Sequence, residues 1–348
     1  MNKGENMTTK YTLHSLGFPR IGAKRELKFE LEKFWSGDIN QNQLENTGKQ
    51  LRQTHWQNQA SFDYVPVGDF SFYDQVLDTS FLFGNIPERI QNSDDVLSTN
   101  SLDNYFRVAR GRAPNDGECS CVQAGEMTKW FDTNYHYIVP EFSKDTEFKL
   151  NSERLINQVL EAKINGVKIK PVILSPVSYL WLGKEKDSSN KLDLLPKLIE
   201  QYVHLFEQFE HLNIQWVQID EPIVVTQLSD EWQQAIKETY KTFSNTKNKL
   251  KVLFTTYFGE LKENLEWVCA LPVAGIHLDC INAKQEVNTL IEKCSSDKVI
   301  SLGVINGRNI WKTDLNQLLD WLEPIAQKLN ERLWLAPSCS LLHVPVDW

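Results

Sequence analysis

Short apolar runs alternate with stretches of helical period along most of this chain. Eight runs stand out: Thr12–Gly17, Tyr64–Gly68, Lys168–Ser175, Trp216–Asp220, Val252–Tyr257, Gly275–Asp279, Val299–Val304 and Arg332–Ala336. Most are unbroken β-branched or aliphatic runs, which is how strands covered on both faces of a parallel sheet read. Between the later runs the apolar positions recur with a helical period. Leu315, Leu318, Leu319 and Leu322 do so behind Thr313 as a cap, and Leu195, Ile199, Tyr202 and Phe206 form a second stripe. A third segment carries Leu155, Val159 and Ala162 between Ser152 as a start and Asn165-Gly166 as a stop. Strand and helix in alternation predict an α/β chain folded as a (β/α)₈ barrel.

Two connections are too long for single crossover helices. The first, residues 18–62, has room for two helices, one marked by Leu27, Leu31 and Phe34. The second, residues 69–167, is polar and broken by glycine and proline, as in Gly111-Arg-Ala-Pro-Asn-Asp-Gly117, and excursions of this kind usually carry function. Only Ser338 to Trp348 follow the last run, so the helix expected to close the barrel has no sequence left to build it. The chain is therefore expected to be one domain, residues 11–348, of a larger protein, preceded by a disordered tail over residues 1–10.

Composition narrows the partners. With 41% hydrophobic and 24% charged residues, 348 residues suffice for a large buried core. A net charge of −9 argues against nucleic acid as a partner, because phosphate attraction needs a basic surface. An anionic ligand would need a local basic patch. Six cysteines are scattered without a disulfide framework; only Cys119 and Cys121 are close, at a spacing foreign to zinc or redox pairs. That usage, a polar N-terminus and the lack of a long apolar run predict a cytoplasmic chain with no membrane contact.

Reacting groups of such barrels sit where strands end. Asp220-Glu221-Pro222 follows the fourth run, a carboxyl pair where a general acid or base could stand. A retaining glycoside hydrolase needs two carboxyls about 5–5.5 Å apart, the second after strand seven. Here that strand runs into Gly303-Val-Ile-Asn-Gly-Arg-Asn309, which has no acid. Asp220 and Glu221 are as readily structural, bonded to loop amides or to Arg308. For zinc the strand ends offer Asp279 and Cys339, with His277 two positions before Asp279, a poor set for a tetrahedral site.

The cations are better placed. Arg20, Lys24, Arg25 and Lys28 cluster where a loop enters a helix, and first-turn N–H groups with the positive end of the helix dipole would add to them as an anion cradle. A solvated helix start is the plainer alternative. In the second excursion, Glu126 to Tyr137 is dense in aromatic, amide and cationic groups and could stack a planar ring while Lys129 pairs an acid. Equally, Trp130, Phe131, Tyr135 and Tyr137 could only pack the loop onto the barrel.

Several of these segments occur together and in order: Leu16-Gly-Phe-Pro-Arg-Ile-Gly22, Arg25-Glu-Leu-Lys28, Val67-Gly-Asp-Phe70, Glu126-Met-Thr-Lys-Trp-Phe131 with Asn134-Tyr-His136, Gln218-Ile-Asp-Glu-Pro222, Ile305-Asn-Gly-Arg-Asn309 and Ser338-Cys-Ser-Leu-Leu-His343. From about Leu13 onward the chain resembles the N-terminal half of cobalamin-independent methionine synthase. The resemblance implies two tandem barrels and transfer of a methyl group from 5-methyltetrahydropteroyltriglutamate, a 5-methyltetrahydrofolate polyglutamate, to homocysteine. It implies contacts to the glutamate tail from Arg25, Glu26, Leu27 and Lys28, from Lys129, and from Asn134.

The family's zinc, held by His, Cys, Glu and Cys of the C-terminal barrel, generates the homocysteine thiolate that a methylated tertiary amine requires. This chain holds none of those ligands. If its barrel is a duplicated copy, Cys339 and Asp279 stand where two ligands once stood, and Thr255 to Tyr257 have lost the others. No metal, no cofactor and no catalytic residue is therefore assigned to it, and the partner it lacks is the C-terminal barrel, in cis or in trans. The truncation is either an excised piece or a naturally short product. The competing readings are a stand-alone barrel hydrolase using Asp220 and Glu221, and a non-catalytic folate-binding module.

Overall fold

The computed structural model describes residues 11–91, 102–114, 116, 122–247 and 249–345. Cys119, Cys121 and the tail at residues 1–10 lie outside the described residues. Eight parallel strands form one sheet: β1 Thr12–Leu13, β2 Val65–Val67, β3 Ile169–Leu174, β4 Trp216–Asp220, β5 Lys251–Thr255, β6 Gly275–Asp279, β7 Val299–Ile305 and β8 Leu333–Pro337. Neighbours run β1-β8-β7-β6-β5-β4-β3-β2, and a parallel bridge between His14 and Tyr64 joins β1 to β2 and closes the barrel. The α/β barrel read from the alternation of strand and helix is present.

Strand side chains alternate. Val217 and Ile219 of β4, Ile276 and Leu278 of β6, and Ile300 and Leu302 of β7 are buried in the core shared with the helices. Their neighbours Trp216, Gln218, Asp220, His277, Ser301 and Gly303 share the other face, toward the barrel axis. Trp216, Leu253 and Trp334 plug the N-terminal end of the interior, with the Tyr64 ring stacked 5.0 Å from Trp334. Above the plug the interior is polar. Runs that look uniformly apolar thus hide polar residues at every second position.

β1 is shorter than its apolar run because the barrel interior claims its backbone. Ser15 O accepts from Lys170 Nζ at 2.9 Å and Leu16 O from Gln218 Nε2 at 3.1 Å, so the chain leaves the ladder after the His14 bridge. At β5 the run ends at Thr255 because Tyr257 turns inward to reach Asp220.

The helices correct two expected caps. The helix Leu315–Leu329 is capped by Asp314, which accepts from the Asn316 and Gln317 amides, rather than by Thr313. Its stripe also starts late: Leu322, Ile325 and Leu329 are buried, whereas Leu315 and Leu319 are 61% and 62% exposed. Ser152 precedes the helix Glu153–Ile164, but its hydroxyl goes to Gln208 at 2.5 Å instead of capping. After β8 the described chain makes one 3₁₀ turn, Leu341–His343.

Two helices, Glu26–Ser36 and Gln41–Asn58, fill the first long connection. Leu27, Leu31 and Phe34 of the first pack into a satellite core with Leu44, Leu51 and Phe106. The second connection holds further helices and an antiparallel hairpin of Met127–Lys129 with His136–Ile138.

Gly303 marks a point where β7 packs closely on its neighbours across the interior. A Cβ there would lie 2.6 Å from the Ser338 Cα and 3.0 Å from the His277 ring. Gly303→Ala should therefore cost about 2–3 kcal/mol by overpacking a wall that cannot yield. Urea unfolding checks this, and a loss under about 0.5 kcal/mol would show that β7 and β8 can separate locally.

Candidate functional site

The loop from the C-terminal end of β1 reaches the helix Glu26–Ser36 through Arg25, which takes a left-handed conformation at φ 61°. Glu26 turns its carboxylate back onto the Lys24 amide at 2.9 Å. The Leu27 amide bonds to Ile21 O at 3.0 Å, so the expected cradle of open first-turn N–H groups is partly used by the loop itself. Leu27 is fully buried and anchors the turn. Lys28, half exposed, lies 4.0 Å from Glu32. Arg20 leaves the cluster: it donates to Ser71 O and Phe72 O at 3.2 and 3.3 Å and ties the loops after β1 and β2 together.

The hairpin lies across the same end of the barrel. Asp132 at its tip meets Arg308, after β7, at 3.0 Å. The Phe131 ring faces Phe258, after β5, at 6.0 Å. Tyr135 meets His343, after β8, at 6.1 Å, and its hydroxyl is 3.5 Å from Tyr73 O, after β2. Trp130 and Tyr137 are buried and hold the hairpin down. Lys129 and Asn134 are left exposed, with Asn134 O bonded to His136 Nδ1 at 3.0 Å. Strand topology thus sets the Arg25–Lys28 turn and the Lys129 hairpin on one rim, the C-terminal mouth.

The acids after β4 face inward. Asp220 accepts from Gln218 Nε2 at 2.7 Å and from the Tyr257 hydroxyl at 3.0 Å; burial raises its carboxyl to about 6. Glu221 is fully buried between the hydroxyls of Ser178, at 2.6 Å, and Tyr240, at 3.0 Å, and burial raises it to about 7. Neither bonds to Arg308, which belongs to Asp132. Their oxygens are held by structural hydroxyls and an amide, which is the arrangement of a framework pair.

Sequence reading missed the group they belong to. Lys170 of β3 is fully buried, with Nζ donating to Ser15 O at 2.9 Å and to Gln218 Oε1. Burial lowers its ammonium to about 7, against the pull of Asp220 and Asp69. Beside it, Ser301 Oγ sits between His14 Nε2 at 2.7 Å and His277 Nδ1 at 2.8 Å. Burial holds His277 down to about 3 and His14 well below its usual range. The signal was present in Ile169-Lys170-Pro171-Val172, a lysine alone inside an apolar run.

The residues named for a relic zinc site do not fit a metal. Both Asp279 oxygens are engaged by the Phe258, Ile281 and Asn282 amides and by the Asn282 side chain, at 2.8–3.2 Å. Burial pushes the Cys339 thiol up to about 12, away from the thiolate a metal binds. Among the described residues no cluster of three His, Cys, Asp or Glu could hold an ion. No helix among them is long and apolar enough to cross a membrane.

Fold and rim define the class: a (β/α)₈ barrel whose mouth loops carry its exposed polar chemistry. The N-terminal domain of cobalamin-independent synthase matches residues 12–330, and the chain belongs to that family. A 5-methyltetrahydropteroyltriglutamate–homocysteine methyltransferase of Saccharophagus degradans is 50% identical over 342 residues, covering 97% of this chain and 44% of the relative. The chain thus spans less than half the length of that relative. Among solved structures, a vitamin-B12-independent methionine synthase of Listeria monocytogenes is similar at TM-score 0.61 and 13% identity, over 97% of this chain and 93% of that one. A B12-independent methionine synthase of Shewanella sp. W3-18-1, in complex with selenomethionine, gives 0.60 and 13%, over 97% and 92%. At such identities the likeness concerns the fold alone.

The buried lysine gives a signed pH test. Its folded value near 7 lies below the ordinary 10.5, so between the two the unfolded chain binds the extra proton. The native state therefore gains stability as pH rises through that window and loses it as pH falls toward 7. Lys170→Met should remove this dependence and leave two acceptors short of a donor, costing about 2–4 kcal/mol. Urea unfolding at about pH 7 and about pH 9.5 should show the gap to wild type widening at the higher pH; a constant gap would mean that Lys170 stays charged when folded.

Proposed function

We propose that this chain is the folate-polyglutamate-binding half of a methyltransferase that moves a methyl group from 5-methyltetrahydropteroyltriglutamate to homocysteine, giving methionine. Arg25 and Lys28 pair with carboxylates of the glutamate tail from one side of the mouth, and Lys129 does so from the other, with Asn134 offering an amide. Glu26 and Leu27 serve by holding the turn that presents the cations. The observation that carries this reading is the placing of a basic helix start and an exposed hairpin lysine on one rim of a protein with net charge −9.

The chemistry itself belongs elsewhere in this reading. A methyl on a tertiary amine is a poor electrophile, so the sulfur must be presented as thiolate. The interior of this barrel offers raised carboxyls, lowered histidines and a raised thiol, a set that suits neutral hydrogen bonding and not thiolate formation. A C-terminal barrel, supplied in cis or in trans, would hold the zinc and the homocysteine, and the cytoplasm would be the compartment.

Each glutamate adds an exposed carboxylate whose pairing contributes up to about 1 kcal/mol. Lys28→Glu should weaken a methylfolate triglutamate by roughly five- to tenfold while barely touching the monoglutamate. Calorimetric titration with both ligands checks this; equal losses would overturn the tail assignment. Adding the C-terminal barrel of a relative should tighten triglutamate binding. Equal affinity with and without it would instead favour a self-sufficient folate-binding module.

A further inference from the structure

The second connection, its helix Glu153–Ile164 included, packs beside β2 and β3 and borders a partly open cavity of about 100 Å³ that Asp220, at the end of β4, also lines. Gly68 lies on the lining where Leu155 packs close: its φ is +90°, and a Cβ there would stand 2.5 Å from the Leu155 Cδ1. Much of the wall is aromatic, with Phe72, Phe81, Phe83, Tyr105 and Tyr202 facing the space.

The polar lining is rich in acceptors. Gln158 is 7% exposed, and its Oε1 has no hydrogen-bond partner. Asp69 accepts from the Phe18 amide at 2.9 Å through one oxygen, and Asp78 accepts from the Tyr105 hydroxyl at 2.7 Å. The lining's cation is Arg154, which lies 5.8 Å from the Phe72 ring centre. An acceptor buried without a donor costs about 1–3 kcal/mol, and a cavity of this polarity has room to correct it.

We propose that this cavity is a binding site for a small primary ammonium ion, an alkylamine of about five heavy atoms. Its N–H donors go to Gln158 Oε1 and to the carboxylates of Asp69 and Asp78, and its carbon chain lies on the aromatic wall. Ring faces attract the cation further. An apolar guest would leave Gln158 Oε1 unpaired, and an anion would meet the carboxylates of Asp69, Asp78 and Asp220 against the single guanidinium of Arg154. The site lies between the barrel wall and the connection, and it stands independently of the tail-binding reading.

Saturation-transfer NMR on the full chain, with n-butylammonium, n-butanol and butyrate as probes, tests it. The ammonium should bind saturably with a Kd of roughly a millimolar, the alcohol about tenfold more weakly, and butyrate not at all. Gln158→Leu should weaken the ammonium about fivefold or more, while Gln158→Glu should keep or strengthen it, both variants being checked for a native circular dichroism spectrum. If Gln158→Leu fails to fold, the Gln158→Glu arm and the three-probe ranking decide. Equal binding of the three probes, no saturable binding, or an ammonium affinity unmoved in both folded variants would overturn the proposal and leave a cavity filled by water alone.

Discussion

A lysine amino group enclosed in a strand barrel constrains everything around it. Taken out of water its N–H donors are costly unless they find acceptors, and Lys170 donates to Ser15 O and Gln218 Oε1. Those two acceptors set the course of the neighbouring strands. Ser15 O is available only because the chain leaves the β1 ladder early. Gln218 is oriented because its amide donates onward to Leu16 O and to Asp220. Asp220 in turn draws Tyr257 inward and so ends β5. One buried lysine thus links β1, β3, β4 and β5 across the barrel axis.

Such an interior suits a scaffold. Its titratable groups are shifted toward their neutral forms by burial, and their hydrogen-bonding capacity is turned on one another. Polar networks of this kind are stable only when nearly every member has a partner. Exposed cations stand at the rim. There the hairpin and the helix after β1 are held by buried aromatic and aliphatic residues, Trp130 and Tyr137 on one side and Leu27 on the other, while the cations stay in solvent. The same residue types that pack each loop present its lysine.

The outer wall follows different physics. The long second connection buries aromatic rings on the barrel and leaves a pocket beside Gln158 instead of filling it. Close-packed interiors seldom keep such a gap beside an unpaired acceptor. Rim and wall are therefore separate features of one excursion, one facing the barrel mouth and the other its flank.

The strands and most helices were legible in the sequence because burial on both faces of a parallel sheet forces apolar runs, and one-sided burial forces a helical stripe. The limits of β4 and β6 are those of their runs for that reason. The rim cations were legible too, since charge clustered at a helix start needs no partner to be noticed. The roles of Lys170, Ser301 and Gln218 were not legible, because a polar residue inside an apolar run reads as an interruption until its partners, tens to hundreds of positions away, are brought beside it. Leu315 and Leu319 failed in the opposite sense: their spacing is that of a buried stripe, yet only the path of the chain decides which side of a helix meets the barrel. The sequence by itself determined which segments become strands and helices. The tertiary structure alone decided which polar side chains face the axis, because that depends on ring closure, and closure joins residues that no local pattern connects.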